Sequence, residues 1–180
     1  MKATAYPGTI VDLSTEAGKI DLDSPLNHAM LLLGLLLLDA EVLFHVSGEH
    51  EEESTVLLSQ LTLSRSAPPE AAHFLFVPGA GSALAAAFGR ANLGTLVDPH
   101  LGATLVLEAE RIEKGGPLFL SGPGIRESEA LTVDLPPEWV ELRAHCNAEF
   151  PLGVDLFIVD RGFRLVSLPR TIRIGRREEG

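Results

Sequence analysis

Residues 73–110, HFLFVPGAGSALAAAFGRANLGTLVDPHLGATLVLEAE, decide the fold. His73 to Val77 is a short apolar and aromatic run, the pattern of a buried strand. Gly81 to Arg90 is alanine-rich and reads as a helix, and Ala103 to Glu110 returns to a strand in which Thr104 and Val106 alternate with Leu105 and Leu107. Toward the C-terminus, Gly115-Gly116 is expected to turn the chain so that Pro117 to Ser121 pairs with the preceding strand as a hairpin. Gly122-Pro123-Gly124 then bends it tightly before an extended piece, Glu129 to Leu135, and Pro136 and Pro137 open a helix running to about Cys146. Val154 to Val159 and Phe163 to Leu168 flank the turn Asp160-Arg161-Gly162 as a second hairpin, with Thr171 to Ile174 as a final strand. Toward the N-terminus, Val42 to Val46 and Thr9 to Leu13 read as strands. Pro25 to Leu38 reads as a helix capped by Ser24, and Glu49 to Leu63 as a helix whose acidic start suits its N-terminus. Helices interspersed with strands, some of them hairpin-paired, predict an α/β fold: a mixed β-sheet flanked by helices, in one domain over residues 1–180.

A chain of 180 residues buries about 70% of its unfolded surface on folding, so a core forms without disulfides or metal. The one cysteine, Cys146, excludes an intramolecular disulfide and fits a reducing, cytoplasmic setting. The apolar run Ala29 to Leu38 has about half the roughly 20 residues a membrane-spanning helix needs, so no membrane association is expected. The formal charge of −11, with four Lys and Arg against eleven Asp and Glu in the first ninety residues, argues against nucleic acid as a partner. Only the C-terminal end is basic, through Arg161, Arg164, Arg170, Arg173, Arg176 and Arg177.

Two glycine-rich bends sit where an anion can be held. Pro78-Gly79-Ala80-Gly81-Ser82 joins strand to helix, but Leu84 stands where a dinucleotide fingerprint needs its third glycine and no Gly-Lys-Ser/Thr follows. An ordinary turn with Ser82 capping the helix is the favoured reading. Ser121-Gly122-Pro123-Gly124-Ile125-Arg126 brings backbone N–H groups near a guanidinium, which makes Gly122, Gly124 and Arg126 ligand-binding candidates; a tight turn with a solvated arginine is the alternative. Asp155 interrupts an apolar strand and needs a partner, either a structural hydrogen bond or a ligand. The six histidines show no i, i+4 pairing, so no metal site is expected, and there is no Gly-x-Ser-x-Gly elbow. Lys2, Lys19 and Lys114 lie near a terminus or in turns, where none serves as a Schiff-base lysine. Trp139, Leu142 and Cys146 are expected on one buried helix face.

Phe150-Pro151-Leu152-Gly153-Val154-Asp155-Leu156, followed by Leu168-Pro169-Arg170-Thr171, resembles the C-terminal signature of the phosphonate metabolism protein PhnH family, a component of the carbon-phosphorus lyase core complex. Pro7-Gly8-Thr9-Ile10, Leu37-Leu38-Asp39-Ala40-Glu41, Gly102-Ala103-Thr104-Leu105 and Leu120-Ser121-Gly122-Pro123-Gly124-Ile125 follow in that family's order. The resemblance implies a fold similar to a reduced pyridoxal-phosphate-dependent transferase lacking the cofactor lysine. It also implies a part in phosphonate catabolism, where an assembly displaces adenine from MgATP with a phosphonate. The partners it implies are core subunits G, I and J and the ATP-binding-cassette-like L subunit, with a homodimer as a further association. It implies no cofactor bound by this chain, MgATP being used by the assembly. It assigns no catalytic residue; Arg170, within the matched signature, joins the ligand-binding candidates. The family usually begins with an amphipathic helix ahead of Pro7-Gly8, and this sequence starts too late to contain it. A non-catalytic scaffold and a free-standing transferase are the alternative readings.

Overall fold

The computed structural model describes residues 6–79, 81–126 and 128–176. Ala80 of the first glycine bend, Lys2, and Arg177, Glu178 and Glu179 of the basic end lie outside the described residues. In chain order the elements are β1 (Val11–Asp12), α1 (Ser14–Ala17), α2 (His28–Leu37), β2 (Leu43–Val46), α3 (Glu51–Thr62), β3 (Arg65–Ser66), β4 (Phe74–Val77) and α4 (Ala83–Arg90). There follow β5 (Thr104–Ala109), β6 (Ile112–Ser121), β7 (Glu129–Val133), α5 (Trp139–Cys146), β8 (Asp155–Asp160), β9 (Arg164–Leu168) and β10 (Arg173–Arg176).

A seven-stranded sheet of order β1-β9-β8-β5-β4-β2-β3 is parallel from β3 to β8 and antiparallel at the β8–β9 and β9–β1 pairs, so the expected mixed sheet is present. Its period-2 alternation separates two cores. Phe44, Phe76, Val106 and Phe157 face α2 and α3 with Met30, Leu33 and Leu58. Leu75, Leu105, Leu107, Leu156 and Ile158 face the other side, with Leu84, Phe88 and Trp139 of α4 and α5 and with Leu118, Leu120 and Leu131. Those last three belong to a separate three-stranded antiparallel sheet, β10-β6-β7, which shares that side with α4 and α5. Among the described residues no helix is long and apolar enough to cross a membrane.

Several expectations are corrected. The hairpin between residues 103–110 and 117–121 does not form: β6 runs through Gly115 and Gly116 as one bulged strand and pairs with β7 and β10. Both glycines have positive φ (78° and 118°), and a Cβ at Gly116 would collide with Thr132, so they supply a bulge in place of a turn. The chain leaves the large sheet at Glu110-Arg111, where Glu110 N donates to Asp134 O (3.1 Å) and Asp134 N to Arg111 O (2.9 Å). The first long helix starts at His28, not Pro25. Asn27 caps it by accepting from Ala29 N at 2.8 Å, while Ser24 Oγ accepts from Leu26 N in the turn before. Tertiary contact selects that start, because Asn27 Nδ2 also donates to Asp160 O. Ser82 makes no side-chain cap bond to α4. The final strand begins at Arg173 and joins the small sheet.

Candidate functional site

A cleft of about 780 Å³ opens between α5, the bend at the end of β6 and the segment leading into β10. Gly122 and Arg170, two of the expected site residues, line it; Gly124, Arg126 and Asp155 are not among its lining residues. The Gly122 backbone has φ 137° and lies so close to Thr171 and Ile172 that a Cβ would meet the Thr171 carbonyl oxygen at 3.0 Å. Its role there is close backbone packing between the bend and residues 171–172. Arg126 is exposed and makes no hydrogen bond or ion pair among the described residues.

Asp155 and Arg170 meet each other. Asp155 Oδ1 accepts from the Arg170 backbone N (2.7 Å) and Nε (3.3 Å), and Oδ2 accepts from Nη2 (2.8 Å). Arg170 Nη1 donates to the carbonyls of Pro99 (2.9 Å) and Pro151 (3.4 Å), and Nη2 also to that of Gly102 (3.3 Å). All five guanidinium N–H groups are thereby engaged by protein. The carboxylate that the apolar strand β8 requires a partner for thus ties together three segments: the loop before β5, the Pro151 loop and the end of β9.

The cleft holds an arginine that sequence reasoning missed. Arg143 is 3% exposed and occupies the buried face of α5 with Trp139 and Cys146, at the position expected for Leu142; Leu142 is only partly buried. The i, i+4 spacing from Trp139 was the available signal, a charged residue inside an apolar helical stripe. Arg143 Nη2 donates to the carbonyls of Pro169 (2.7 Å) and Ile172 (3.0 Å), while Nε is buried with no partner. Desolvation lowers its pKa to about 10, opposed chiefly by the negative charge of Asp155, and it remains a cation at neutral pH. Burial also raises the Cys146 thiol above its ordinary range, with Arg143 opposing.

A second crevice, of about 410 Å³, lies at the C-terminal ends of β4 and β5, the usual ligand position in open α/β sheets. Its chemistry is unsuited to an oxyanion. Gly79 N, the donor a phosphate cradle would offer, is given to Glu108 Oε2 at 2.9 Å. Glu110 and Asp134 also line the crevice, and Arg161 is paired with Glu110 at 2.7 Å. Among the described residues no group of three or more His, Cys, Asp or Glu is arranged to hold a metal ion.

The family model described as "Bacterial phosphonate metabolism protein (PhnH)" matches residues 1–175. The "Putative C-P lyase subunit protein HtxG" of Stutzerimonas stutzeri is 36% identical over 180 residues, covering 97% of this chain and 81% of that relative. The "Alpha-D-ribose 1-methylphosphonate 5-triphosphate synthase subunit PhnH" of Rhizobium meliloti (strain 1021) is 32% identical over 192 residues, covering 98% of this chain and 86% of that protein. The match runs through both sheets and through every segment that lines the cleft. The chain therefore belongs to the bacterial phosphonate metabolism protein (PhnH) family.

Proposed function

We propose that this chain is a subunit of the carbon-phosphorus lyase system, acting with partner subunits G, I, J and L in the transfer of the ribose triphosphate moiety of MgATP to a phosphonate. The observation that carries this is the family match over residues 1–175, supported by two relatives whose names place them in that system and which align with nearly the whole chain. Physical chemistry supports a shared site. Displacement at a ribose carbon needs stabilised positive charge and a clamped triphosphate, normally through several cations and Mg2+. Arg170 is consumed internally and the crevice at the sheet's C-terminal edge is acidic, so partners supply much of that clamp. We take the fold as similar to a reduced pyridoxal-phosphate-dependent transferase and propose that the chain holds no such cofactor covalently; in support, among the described residues Lys19 pairs with Glu16 at 2.8 Å on the surface and Lys114 is exposed in the β6 bulge.

The test is adenine release from MgATP and a phosphonate. The isolated chain is expected to give none and the reconstituted mixture to turn over; release by the isolated chain, free of nucleosidase, overturns the subunit reading. The internal use of Asp155 and Arg170 favours a scaffold as the second reading, and Arg126 separates the two. If this exposed arginine serves the shared site, Arg126→Ala lowers turnover about tenfold, or about 1.4 kcal/mol of barrier, with assembly intact. Unchanged turnover points to the scaffold.

A further inference from the structure

Helices α2 and α3 cover one face of the large sheet, and their own outer side is exposed. Residues 20–64, which contain both helices, hold eight Asp and Glu and no Lys or Arg, so this stretch carries −8 of the chain's formal charge of −11. None of those charges lies on α2. Met30 and Leu33 of that helix pack on the sheet, yet Leu35 and Leu36 on its outer side are 43% and 59% exposed. A helix that is apolar all round is normally covered all round. The two helices lie side by side, since a Cβ at Gly34 of α2 would come within 2.6 Å of Leu58 Cδ2 on α3. Val56 and Leu61 of α3 and Leu63 just after it are exposed as well. With Leu35 and Leu36 they make five of the eleven large apolar residues exposed among the described residues, a concentration that marks an interaction surface.

The charges sit at the edge of this apolar face. A groove of about 470 Å³ between the segment leading into α2 and the flank of α3 is lined by Pro25, Val56 and Leu57 together with the carboxylates of Asp23, Glu52 and Glu53. Among the described residues Asp23 and Glu52 have no ion-pair partner, and Glu53 has only His50, at 3.3 Å. Two copies joined through this face by a two-fold axis would set the −8 segment against itself, and like charges brought together disfavour that pairing. The same charge opposes a surface of anionic lipid. The complementary surface is an apolar ridge with a cationic rim.

We propose that the α2–α3 face docks an amphipathic helix of a protein partner, with its apolar stripe seated on Leu35, Leu36 and Val56 and its flanking lysines or arginines meeting Asp23, Glu52 and Glu53. Two helices side by side leave a furrow into which a third packs, the mode by which amphipathic helices are recognised. A covered α2 also accounts for leucines at outward positions where a solvent-facing helix carries polar residues. The face is a property of this chain alone, so its occupancy succeeds or fails independently of adenine release by an assembly.

The experiment uses the full chain and a fluorescein-labelled peptide of about 18 residues, with leucines at i, i+3, i+4 and i+7 and lysines elsewhere, followed by fluorescence anisotropy. The comparisons are the same peptide with glutamate for lysine and a shuffled leucine–lysine peptide that has no apolar face. The ordered cationic peptide is expected to bind saturably, about tenfold or more tighter than either comparison, and to weaken about tenfold as NaCl rises from about 0.05 to about 0.5 M. Leu35→Gln with Leu36→Gln should weaken binding about tenfold, and Glu52→Gln with Glu53→Gln should weaken it and flatten its salt dependence. Val97→Gln, at an 86% exposed apolar residue of the loop before β5, should leave binding unchanged. If circular dichroism shows that the leucine pair variant does not fold, Val56→Gln takes its place. Absence of saturable binding, equal affinity for the glutamate peptide, or an equal loss with Val97→Gln overturns the proposal. So does self-association in sedimentation that Leu35→Gln with Leu36→Gln abolishes, which assigns the face to a second copy, or binding to phosphatidylglycerol vesicles that the same pair abolishes, which assigns it to lipid.

Discussion

Replacing Arg170 by methionine tests whether the Asp155–Arg170 pair is structural. Methionine keeps most of the aliphatic packing and removes all five N–H donors. Two of the lost bonds are well formed, to Asp155 Oδ2 at 2.8 Å and to the Pro99 carbonyl at 2.9 Å, and three are long, at 3.3 to 3.4 Å. Hydrogen bonds to a charged group contribute about 1.5–3 kcal/mol each, and breaking a fully buried pair costs about 3–5 kcal/mol. The Arg170 side chain is 13% exposed and that of Asp155 35%, so water re-solvates part of the abandoned carboxylate and its cost falls below that limit. Asp155 also keeps its bond from the Arg170 backbone N. The expected loss is about 3 kcal/mol. With a urea slope of about 2 kcal/mol/M the unfolding midpoint drops by about 1.5 M, the slope itself unchanged. A loss below about 1 kcal/mol at unchanged slope would refute the reasoning and return Arg170 to the pool of ligand-binding groups. Asp155→Asn in the same background should then add little, because the two residues share one interaction.

Two further outcomes follow from local geometry. A Cβ at Gly102 would collide with the Gly153 carbonyl and the Arg170 guanidinium, so Gly102→Ala should cost about 3 kcal/mol and lower the melting temperature by roughly 8 °C. Gly79→Ala meets no atom within 4 Å and has only its φ of 56° against it, so about 1 kcal/mol and roughly 3 °C are expected; equal effects would contradict this. Cys146 donates to the Phe88 carbonyl and is 5% exposed. Its thiol should react with a disulfide reagent at pH 8 about a hundredfold more slowly in the native protein than in urea. Because burial raises the native thiol pKa, the thiolate appears at lower pH in the unfolded chain. The native rate should therefore still be climbing at pH values where the unfolded rate has levelled off; coincident profiles would refute the shift.

The buried strands of the large sheet were legible from residues alone, because burial on both faces writes itself as short apolar runs such as 74–77, 104–107 and 156–159, whereas the exposed edge strand β3 (Arg65–Ser66) carries no such run and was not expected. The hairpin at Asp160-Arg161-Gly162 was legible from its turn chemistry, and the need of Asp155 for a partner from the cost of a carboxylate in an apolar strand. Periodicity and turn propensity are local, and they settled what is local. Two glycines in a row look the same in a turn and in a bulge. Only the close approach of Thr132 decided that Gly115-Gly116 would continue β6 into a second sheet. The cap at Asn27 was chosen over Ser24 by contacts with Glu108 and Asp160, far away in sequence. The cleft was likewise a tertiary decision. Arg143 looks like one more surface charge on a short helix until residues 169–172 cover it and take two of its hydrogen bonds. Arg170 looks like a free cation in a basic tail until Asp155 and three carbonyls close around it. Whether an arginine is spent or available depends on partners brought from other parts of the chain, so the residue types were readable in advance while their availability was set only by the packing.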